Sequence, residues 1–271
     1  MSDSATEPRA RPHRIDLNAD LAEGYGRWGF GTDDDLLDVV TSANIACGFH
    51  AGDPTVMRRA VSRAVANGVR IGAHVGYPDL AGFGRRPMTI AREELADLVA
   101  YQLAALSGIA RAEGGEVRYA KPHGALYNTA VHDTEQAEAI VDAVCRIDAS
   151  LGVMSLPGSV LLESAAARGL STITEAFADR AYLADGRLAP RSMDGAVIHD
   201  PQAVADRVVQ VVTRGVVDTL DGGPTAVRPA SICVHGDSPG AVSLARRVRS
   251  ALSAAGVELT SSVDEPVGST R

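Results

Sequence analysis

Short apolar segments alternate with amphipathic helical segments along most of this chain, and this alternation limits the possible folds more than any other feature. A strand followed by a helix, repeated about seven times, implies parallel strands that are covered by helices. A β/α barrel and a doubly wound sheet both fit this pattern. The predicted strands are residues 14–20, 42–47, 69–74, 117–123, 152–158, 171–177 and 231–237, with 256–260 as a candidate for another.

The helical segments carry their own start and stop signals. In residues 53–68, Asp53 can cap a helix that opens with Pro54, and Gly68 suits the C-terminal cap. Asp200-Pro201 and Ser238-Pro239 repeat that opening before two later periodic segments. Apolar faces at 95–106 and 140–144 indicate two more helices.

Composition excludes several classes of protein. The formal net charge of −8 argues against nucleic acid or an anionic membrane as the main partner, because both require basic patches. No apolar stretch approaches the length of a transmembrane helix or a signal peptide. Three widely spaced cysteines without a CxxC motif fit a reducing cytoplasm. We therefore expect a cytoplasmic protein, with one domain at 14–260 and disordered tails at 1–13 and 261–271.

Nucleotide-binding loops are missing from the sequence. No GxGxxG follows the first strand and no GxxxxGK[ST] occurs anywhere, so neither dinucleotide nor P-loop binding is supported.

Polar and charged residues cluster where the predicted strands end. Since the carboxyl ends of parallel strands meet on one face of an α/β fold, these residues should converge there in one site. Each also has a structural alternative: a histidine can bond a backbone carbonyl, a lysine can extend to solvent, and an acid can cap a helix. The strand-end set is Asn18, Asp20, Glu23, Asn44, His50, His74, Lys121, His123, Glu175, Asp179, Arg180, His235 and Asp237, and Arg85 lies in a neighbouring loop.

Seven sequence blocks that span about residues 14–260 closely resemble the LamB/YcsF family of 5-oxoprolinase A subunits. They are IDLNADLAEGYG, TSANIACGFHAGDP, GAHVGYPDLAGFGRR, YQLAALSGIARAEGG, KPHGALYN, EAFADRAYLADGRLAPRS and CVHGDSPGA. The resemblance implies a distorted seven-stranded β/α barrel like that of carbohydrate deacetylases. Two positions depart from the family pattern: Ala22 stands where glycine is usual, and Val75 where proline is usual.

The same resemblance implies ATP-dependent opening of the lactam 5-oxoproline (pyroglutamate) to L-glutamate, with Mg²⁺ accompanying ATP and with two further subunits, B and C. Such chemistry needs a general base and donors for developing negative charge. The candidate catalytic residues are Asp20, His50, His74, Lys121, His123, Glu175, Asp179 and His235. The candidate substrate-binding residues are Asn18, Glu23, Asn44, Arg85, Arg180 and Asp237, with Arg85 or Arg180 gripping the substrate carboxylate.

Two other functions remain open from the sequence. Asp20, His50 and His74 could hold a metal in a deacetylase or amidase, although no HxxxH or HExxH motif is present. If ATP supplies the driving force, a metal bound there is expected to be dispensable. A non-catalytic subunit that binds 5-oxoproline for its partners is the third possibility. Under the catalytic interpretation, changes at Lys121 and His123 are expected to impair turnover and to leave folding nearly unchanged.

Overall fold

A computed structural model describes residues 13–29, 31–235 and 240–264. Strands and helices alternate along this part of the chain, as the sequence predicts. In chain order the elements are β1 (Arg14–Leu21), α1 (Asp33–Leu37), β2 (Ser42–Ala46), α2 (Pro54–Asn67), β3 (Arg70–Val75), α3 (Arg92–Ala112), β4 (Val117–Pro122), α4 (Gly124–Ala130), α5 (Thr134–Asp148), β5 (Gly152–Ser155), α6 (Val160–Ala167), β6 (Thr172–Phe177), α7 (Pro201–Arg214), β7 (Val216–Val217), β8 (Thr225–Ala226), β9 (Ser231–His235), α8 (Ala241–Ala254) and β10 (Glu258–Leu259), with 3₁₀ turns at Leu80–Gly82 and Ser262–Asp264.

Seven parallel strands close into a barrel. Strands β1 to β6 pair in chain order, β9 pairs with β6, and β9 also pairs with β1 to complete the ring. The helices surround this ring, so the prediction of a single-domain seven-stranded β/α barrel is confirmed and the doubly wound sheet is excluded. The short strand β10 extends the sheet beside β1, while β7 and β8 form a separate antiparallel pair.

The predicted strands are present, but residues 261–264 of the predicted C-terminal tail are ordered: Ser261 is buried against Ser42, and Ser262–Asp264 form a 3₁₀ turn. Strand β5 ends at Ser155 rather than at residue 158, and Pro157 in the following segment cannot donate to a sheet ladder. Residues 236–239, which include Asp237 and the predicted Ser238-Pro239 opening, lie outside the described residues, as do 1–12 and 265–271 of the predicted tails. Helix α8 begins at Ala241, with Gly240 at its N-cap.

The caps of α2 and α7 follow their sequence signals. The Asp53 carboxylate accepts hydrogen bonds from the amides of Thr55 and Val56, and Gly68 ends α2 with a φ of 68°. Asp200 caps α7 in the same way through two backbone amides. These caps fix where each helix begins after its strand, and so they define the geometry of the loops around the barrel mouth.

The barrel interior is polar, although both faces of the seven barrel strands are largely buried. Side chains alternate along a strand, and in β1 the residues Asp16, Asn18 and Asp20 bond across the barrel while Leu17 and Ala19 belong to the apolar core. At the bottom, Asp16 accepts hydrogen bonds from Thr41 at 2.6 Å, from Ser42 at 2.7 Å and from Ser231. The interior therefore offers successive layers of hydrogen-bonding groups that lead up to the strand ends.

Asp16 makes the stability of this protein depend on pH. Burial raises its pKa to about 6, against the opposing effect of its hydroxyl hydrogen bonds. The folded protein thus binds this proton more tightly than the unfolded chain, and the stabilisation from Asp16 is lost as pH rises through about 4 to 6. We expect the free energy of unfolding of Asp16→Asn, relative to the unsubstituted protein, to improve by about 1 kcal/mol between pH 5 and pH 7.5. Urea unfolding at both pH values measures this difference, and an unchanged difference would contradict it.

Candidate functional site

Lys121 lies at the centre of the site, at the end of β4. Its side chain is buried, and its Nζ is 2.9 Å from Asp20 Oδ1 and 2.7 Å from Glu175 Oε1. Cys233 Sγ is 3.2 Å from the same nitrogen. The three partners come from β1, β6 and β9, so the ammonium group ties strands from different parts of the barrel together. Its location is that of an interior group with charged partners, and the alternative of a lysine extending to solvent is excluded.

The electrostatics of this pair favour full ionisation. Burial alone would raise the pKa of Asp20, but the nearby charges of His74 and Lys121 hold it well below its usual range. Burial would likewise lower the pKa of Lys121, and the carboxylate of Asp20 together with Cys233 and Glu175 raises it well above its usual value. The centre therefore presents a permanently charged ammonium group next to a carboxylate that stays ionised.

A cluster of imidazoles lies beside Lys121. His74 lies near the end of β3 and His123 directly after β4, while His50 and Glu23 come from the loops after β2 and β1. The rings of His50 and His123 stack with centroids 3.8 Å apart, and His74 Nε2 is 2.9 Å from His123 Nδ1. Burial and the neighbouring imidazoles lower the pKa of both His50 and His123 well below the usual range.

Backbone carbonyls orient two of these rings. His74 Nδ1 is 3.1 Å from the carbonyl oxygen of Lys121, and His123 Nε2 is 2.8 Å from that of Phe83. A carbonyl only accepts, so both of these nitrogens carry hydrogen. The two nitrogens that face each other, His74 Nε2 and His123 Nδ1, are therefore the ones left to bind a proton or a ligand.

The four side chains Glu23, His50, His74 and His123 could hold a metal ion. One ligand atom from each lies within 4.8 Å of the others, and all four residues are buried. The sequence-based metal set of Asp20, His50 and His74 shares two members with this group. Asp20 lies at its edge: its Oδ1 is bonded to Lys121 and its Oδ2 is 3.4 Å from His74 Nε2.

A second titratable pair joins the end of β9 to the segment after β6. His235 Nδ1 is 2.8 Å from Asp179 Oδ1, which leaves His235 Nε2 facing Arg191 at 3.5 Å. Burial disfavours the Asp179 carboxylate, but the charge of His235 and its hydrogen bond outweigh burial and lower the pKa of Asp179. This arrangement is that of a histidine general base held in one tautomer by a carboxylate.

One cavity connects these groups. It has a volume of about 590 Å³ and is lined by Asp20, Glu23, His74, Lys121, His123 and His235 together with four arginines, at positions 85, 180, 187 and 191. A larger and more open depression of about 860 Å³ lies between α7 and α8, away from the strand ends. The cavity at the barrel mouth combines a cationic rim with buried acid and base groups, so it suits a small anionic substrate.

The predicted residues take different places in this arrangement. Asn18 and Asn44 lie one layer below the mouth, where Asn18 bonds Glu175 at 3.0 Å and Asn44 bonds Asp20 at 2.8 Å, so they position the charged groups above them. Arg180 donates to the carbonyls of Ala189 and Ala196 and so holds the loop that covers the cavity. Asp237 lies outside the described residues.

Sequence reasoning missed Cys233, which contacts Lys121, and Arg187 and Arg191, which line the cavity. Cys233 precedes His235 by two residues and so shares its face of β9, a signal that the sequence already contained. Arg187 and Arg191 lie within the block EAFADRAYLADGRLAPRS, but nothing in that block indicates where its loop runs.

Ala22, at the position where the family usually has glycine, adopts a left-handed backbone conformation with a φ of 59°. An alanine can occupy this region only at a cost of about 1–2 kcal/mol, which explains the usual preference for glycine.

Among the described residues, no helix is both long and apolar enough to cross a bilayer.

Comparison with known proteins gives consistent matches over nearly the whole chain. The sequence profile of the LamB/YcsF family matches residues 15–266. The protein of Streptomyces avermitilis named as the A subunit of 5-oxoprolinase is 60% identical over 245 residues, which cover 90% of this chain and 98% of that protein. The protein of the same name from Acinetobacter baylyi is 52% identical over 248 residues, which cover 92% of this chain and 98% of that protein.

A solved structure matches as well. The lactam utilization protein of Thermus thermophilus superposes with a TM-score of 0.87 at 48% identity, and the match covers 91% of this chain and 99% of that one.

Proposed function

This chain belongs to the LamB/YcsF family, and from that premise we propose that it is the ring-opening subunit of an ATP-dependent 5-oxoprolinase. The reaction would convert 5-oxoproline to L-glutamate while ATP is hydrolysed to ADP and phosphate. The observation that carries this proposal is the buried Lys121, bonded to Asp20 and Glu175 at the bottom of a cavity with a cationic rim. The names of the relatives support the choice of a lactam and of a multi-subunit complex.

The chemistry of a lactam explains why ATP is needed. Transfer of the γ-phosphoryl group to the lactam oxygen makes the ring carbon electrophilic, and a water molecule can then add to it. Protonation of the ring nitrogen lets it leave as an amine, and the resulting acyl phosphate is hydrolysed by a second water to phosphate and glutamate. These steps need a base for water, a proton for nitrogen, and cations for the phosphoryl oxygens.

The residues of the cavity match these needs. His235, held by Asp179, would take the proton from water, because its Nε2 points toward the cavity rim. Lys121 would stabilise the negative charge on the phosphorylated oxygen. His235 would then return that proton to the ring nitrogen, as a histidine base does for a leaving amine.

We infer that ATP meets the substrate through partner subunits, since this sequence contains no phosphate-binding loop motif. We therefore expect the purified chain alone to show negligible 5-oxoproline-dependent ATP hydrolysis, and to gain it when the B and C subunits are added with Mg²⁺ and ATP. The assay measures ADP and glutamate together. Full ATP-coupled turnover by the chain alone would refute the need for partners, and a complex equally active without this chain would refute its catalytic role.

Arg85 is the residue we assign to the carboxylate of the substrate. Its side chain is exposed and lines the cavity, with its guanidinium over the Phe83 ring, while Arg180 is buried and holds backbone carbonyls of a loop. In the assembled complex, Arg85→Met is expected to raise KM for 5-oxoproline at least about 10-fold with little change in kcat, because a charge-assisted pair with the carboxylate is lost in ground and transition states alike.

The matched control for that experiment is Arg118→Met. Arg118 stands near the start of β4, at the other end of the barrel, and pairs with Glu116 at 2.6 Å. Arg118→Met makes the same charge change away from the cavity. The KM of this variant for 5-oxoproline should therefore stay within about 2-fold of the unsubstituted value. A KM unaffected by Arg85→Met would remove Arg85 from the substrate site.

A further inference from the structure

We propose that Glu23, His50, His74 and His123 form a binding site for one divalent transition-metal ion, of which zinc is the natural probe. The four residues lie at or after the ends of four different strands, yet their ligand atoms lie within 4.8 Å of one another at the barrel mouth. Three imidazoles and one carboxylate are a donor set that suits zinc and its neighbours in the first transition row, rather than magnesium or calcium. The proposal does not rest on the proposed function, since binding can be measured without substrate.

The spacing of the donor atoms fits a single ion. Two ligands bound to zinc at about 2.0–2.1 Å in a tetrahedral arrangement lie about 3.3 Å from each other. In the structure, Glu23 Oε1 is 3.4 Å from His123 Nδ1, 3.9 Å from His74 Nε2 and 3.8 Å from His50 Nε2. His74 Nε2 and His123 Nδ1 are 2.9 Å apart. Separations within the group reach up to 4.8 Å, so the most distant donor atoms would have to approach each other by about 1.5 Å to bind one ion in tetrahedral geometry.

The orientation of two imidazoles supports metal binding independently. Histidine ligands usually donate their other ring N–H to a carbonyl or a carboxylate, which fixes the ring and its tautomer. His74 donates Nδ1–H to the carbonyl of Lys121, and His123 donates Nε2–H to the carbonyl of Phe83. Their remaining nitrogens both point at the space that Glu23 borders.

His50 provides the observation that a purely structural role does not explain. Its side chain is wholly buried, and neither ring nitrogen has a hydrogen-bond partner in the described part of the chain. Its Nδ1 side packs on Gly76, where an added Cβ would come within 2.6 Å of that nitrogen. A buried imidazole without a partner is costly, and an ion bound at Nε2 would satisfy one of its two unpartnered nitrogens.

The surroundings also balance the charge of such an ion. Asp20 Oδ2 is 3.4 Å from His74 Nε2, so a second carboxylate lies next to the ligand set. Glu23, His74 and His123 line the same cavity as Lys121 and His235, and the ion would therefore border the space where a substrate oxygen or a water molecule binds.

Zinc binding by the whole chain tests the proposal. Protein stripped with a chelator and transferred to chelator-free buffer is titrated with ZnCl₂ by calorimetry, and elemental analysis after gel filtration gives the stoichiometry. We expect one zinc per chain with a Kd of about 1 µM or tighter. Co²⁺ in place of zinc should give the intense visible absorption of a four-coordinate or five-coordinate nitrogen-ligated ion.

Variants locate the ion. His50→Gln and Glu23→Gln should each weaken zinc binding by at least about 10-fold and reduce the cobalt absorption. The control His199→Gln removes an exposed imidazole far along the chain and should leave both unchanged. Circular dichroism without metal shows whether each variant is folded. Because the two variants change different ligands, the test still works if one of them does not fold. No saturable binding, or binding that persists in both ligand variants, would overturn the proposal.

Discussion

Replacement of Lys121 by methionine is expected to reduce turnover of 5-oxoproline in the assembled complex by about 10²-fold or more, because the only ammonium group at the bottom of the described cavity is lost. The same change should lower the free energy of unfolding by about 3–5 kcal/mol. It leaves the carboxylates of Asp20 and Glu175 buried without their shared cation. Steady-state kinetics and urea unfolding measure the two effects.

This expectation revises the sequence-based one, in which Lys121→Met leaves folding nearly unchanged. A second substitution separates the two effects. Adding Glu175→Gln to Lys121→Met removes one of the two uncompensated charges, so part of the lost stability should return while turnover stays low. If Lys121→Met alone were as active as the unsubstituted protein, Lys121 would have only a structural role.

Asp179→Asn is expected to lower kcat by about 10²-fold to 10⁴-fold with a small effect on stability. The asparagine can present an N–H to His235 Nδ1, which favours the tautomer with hydrogen on Nε2 and so removes the base from the cavity side. The pH profile of kcat separates this effect from a loss of packing. The part of the profile that depends on deprotonation of the general base should shift along the pH axis, and a loss of packing alone would not shift it.

Asp206→Asn serves as the control for Asp179→Asn. Asp206 is an exposed carboxylate on α7 that pairs with Gln202 at 2.7 Å, so its loss makes the same charge change far from the cavity. Its kcat and pH profile should match those of the unsubstituted protein. If Asp179→Asn behaved in the same way, His235 would be excluded as the general base of the proposed reaction.

Much of the architecture could be predicted because local signals agree with the tertiary fold. The Asp-Pro openings and terminal glycines of α2 and α7 set the helix limits through local hydrogen bonds. The period of two along each strand places Lys121 of β4 and His235 of β9 on the interior side. Parallel topology then brings the strand ends together, which is why the site could be assembled from residues tens of positions apart.

The finer arrangement of the site could not be predicted, because it depends on loop paths and on pairwise distances. Sequence reasoning assigns Glu23 to substrate binding, and its position beside the imidazoles depends on the path of the loop after β1, which no local pattern specifies. Arg191 comes from a long segment between β6 and α7 whose course no local pattern specifies. Phe83 contributes only a backbone carbonyl to His123, and no side-chain pattern indicates such a contact.

The closure of the barrel by β9 against β1 has a consequence for how the protein folds. Asp20 pairs in the ladder with His235, 215 positions later in the chain, so the two sides of the cavity meet only when the ring is complete. During synthesis on the ribosome, β1 to β6 can associate first through neighbouring contacts, but the last wall is added only after β9 has been synthesised. Contacts of such long sequence separation form slowly. Until they form, an incomplete barrel exposes the unpaired edge of β1 and is vulnerable to aggregation.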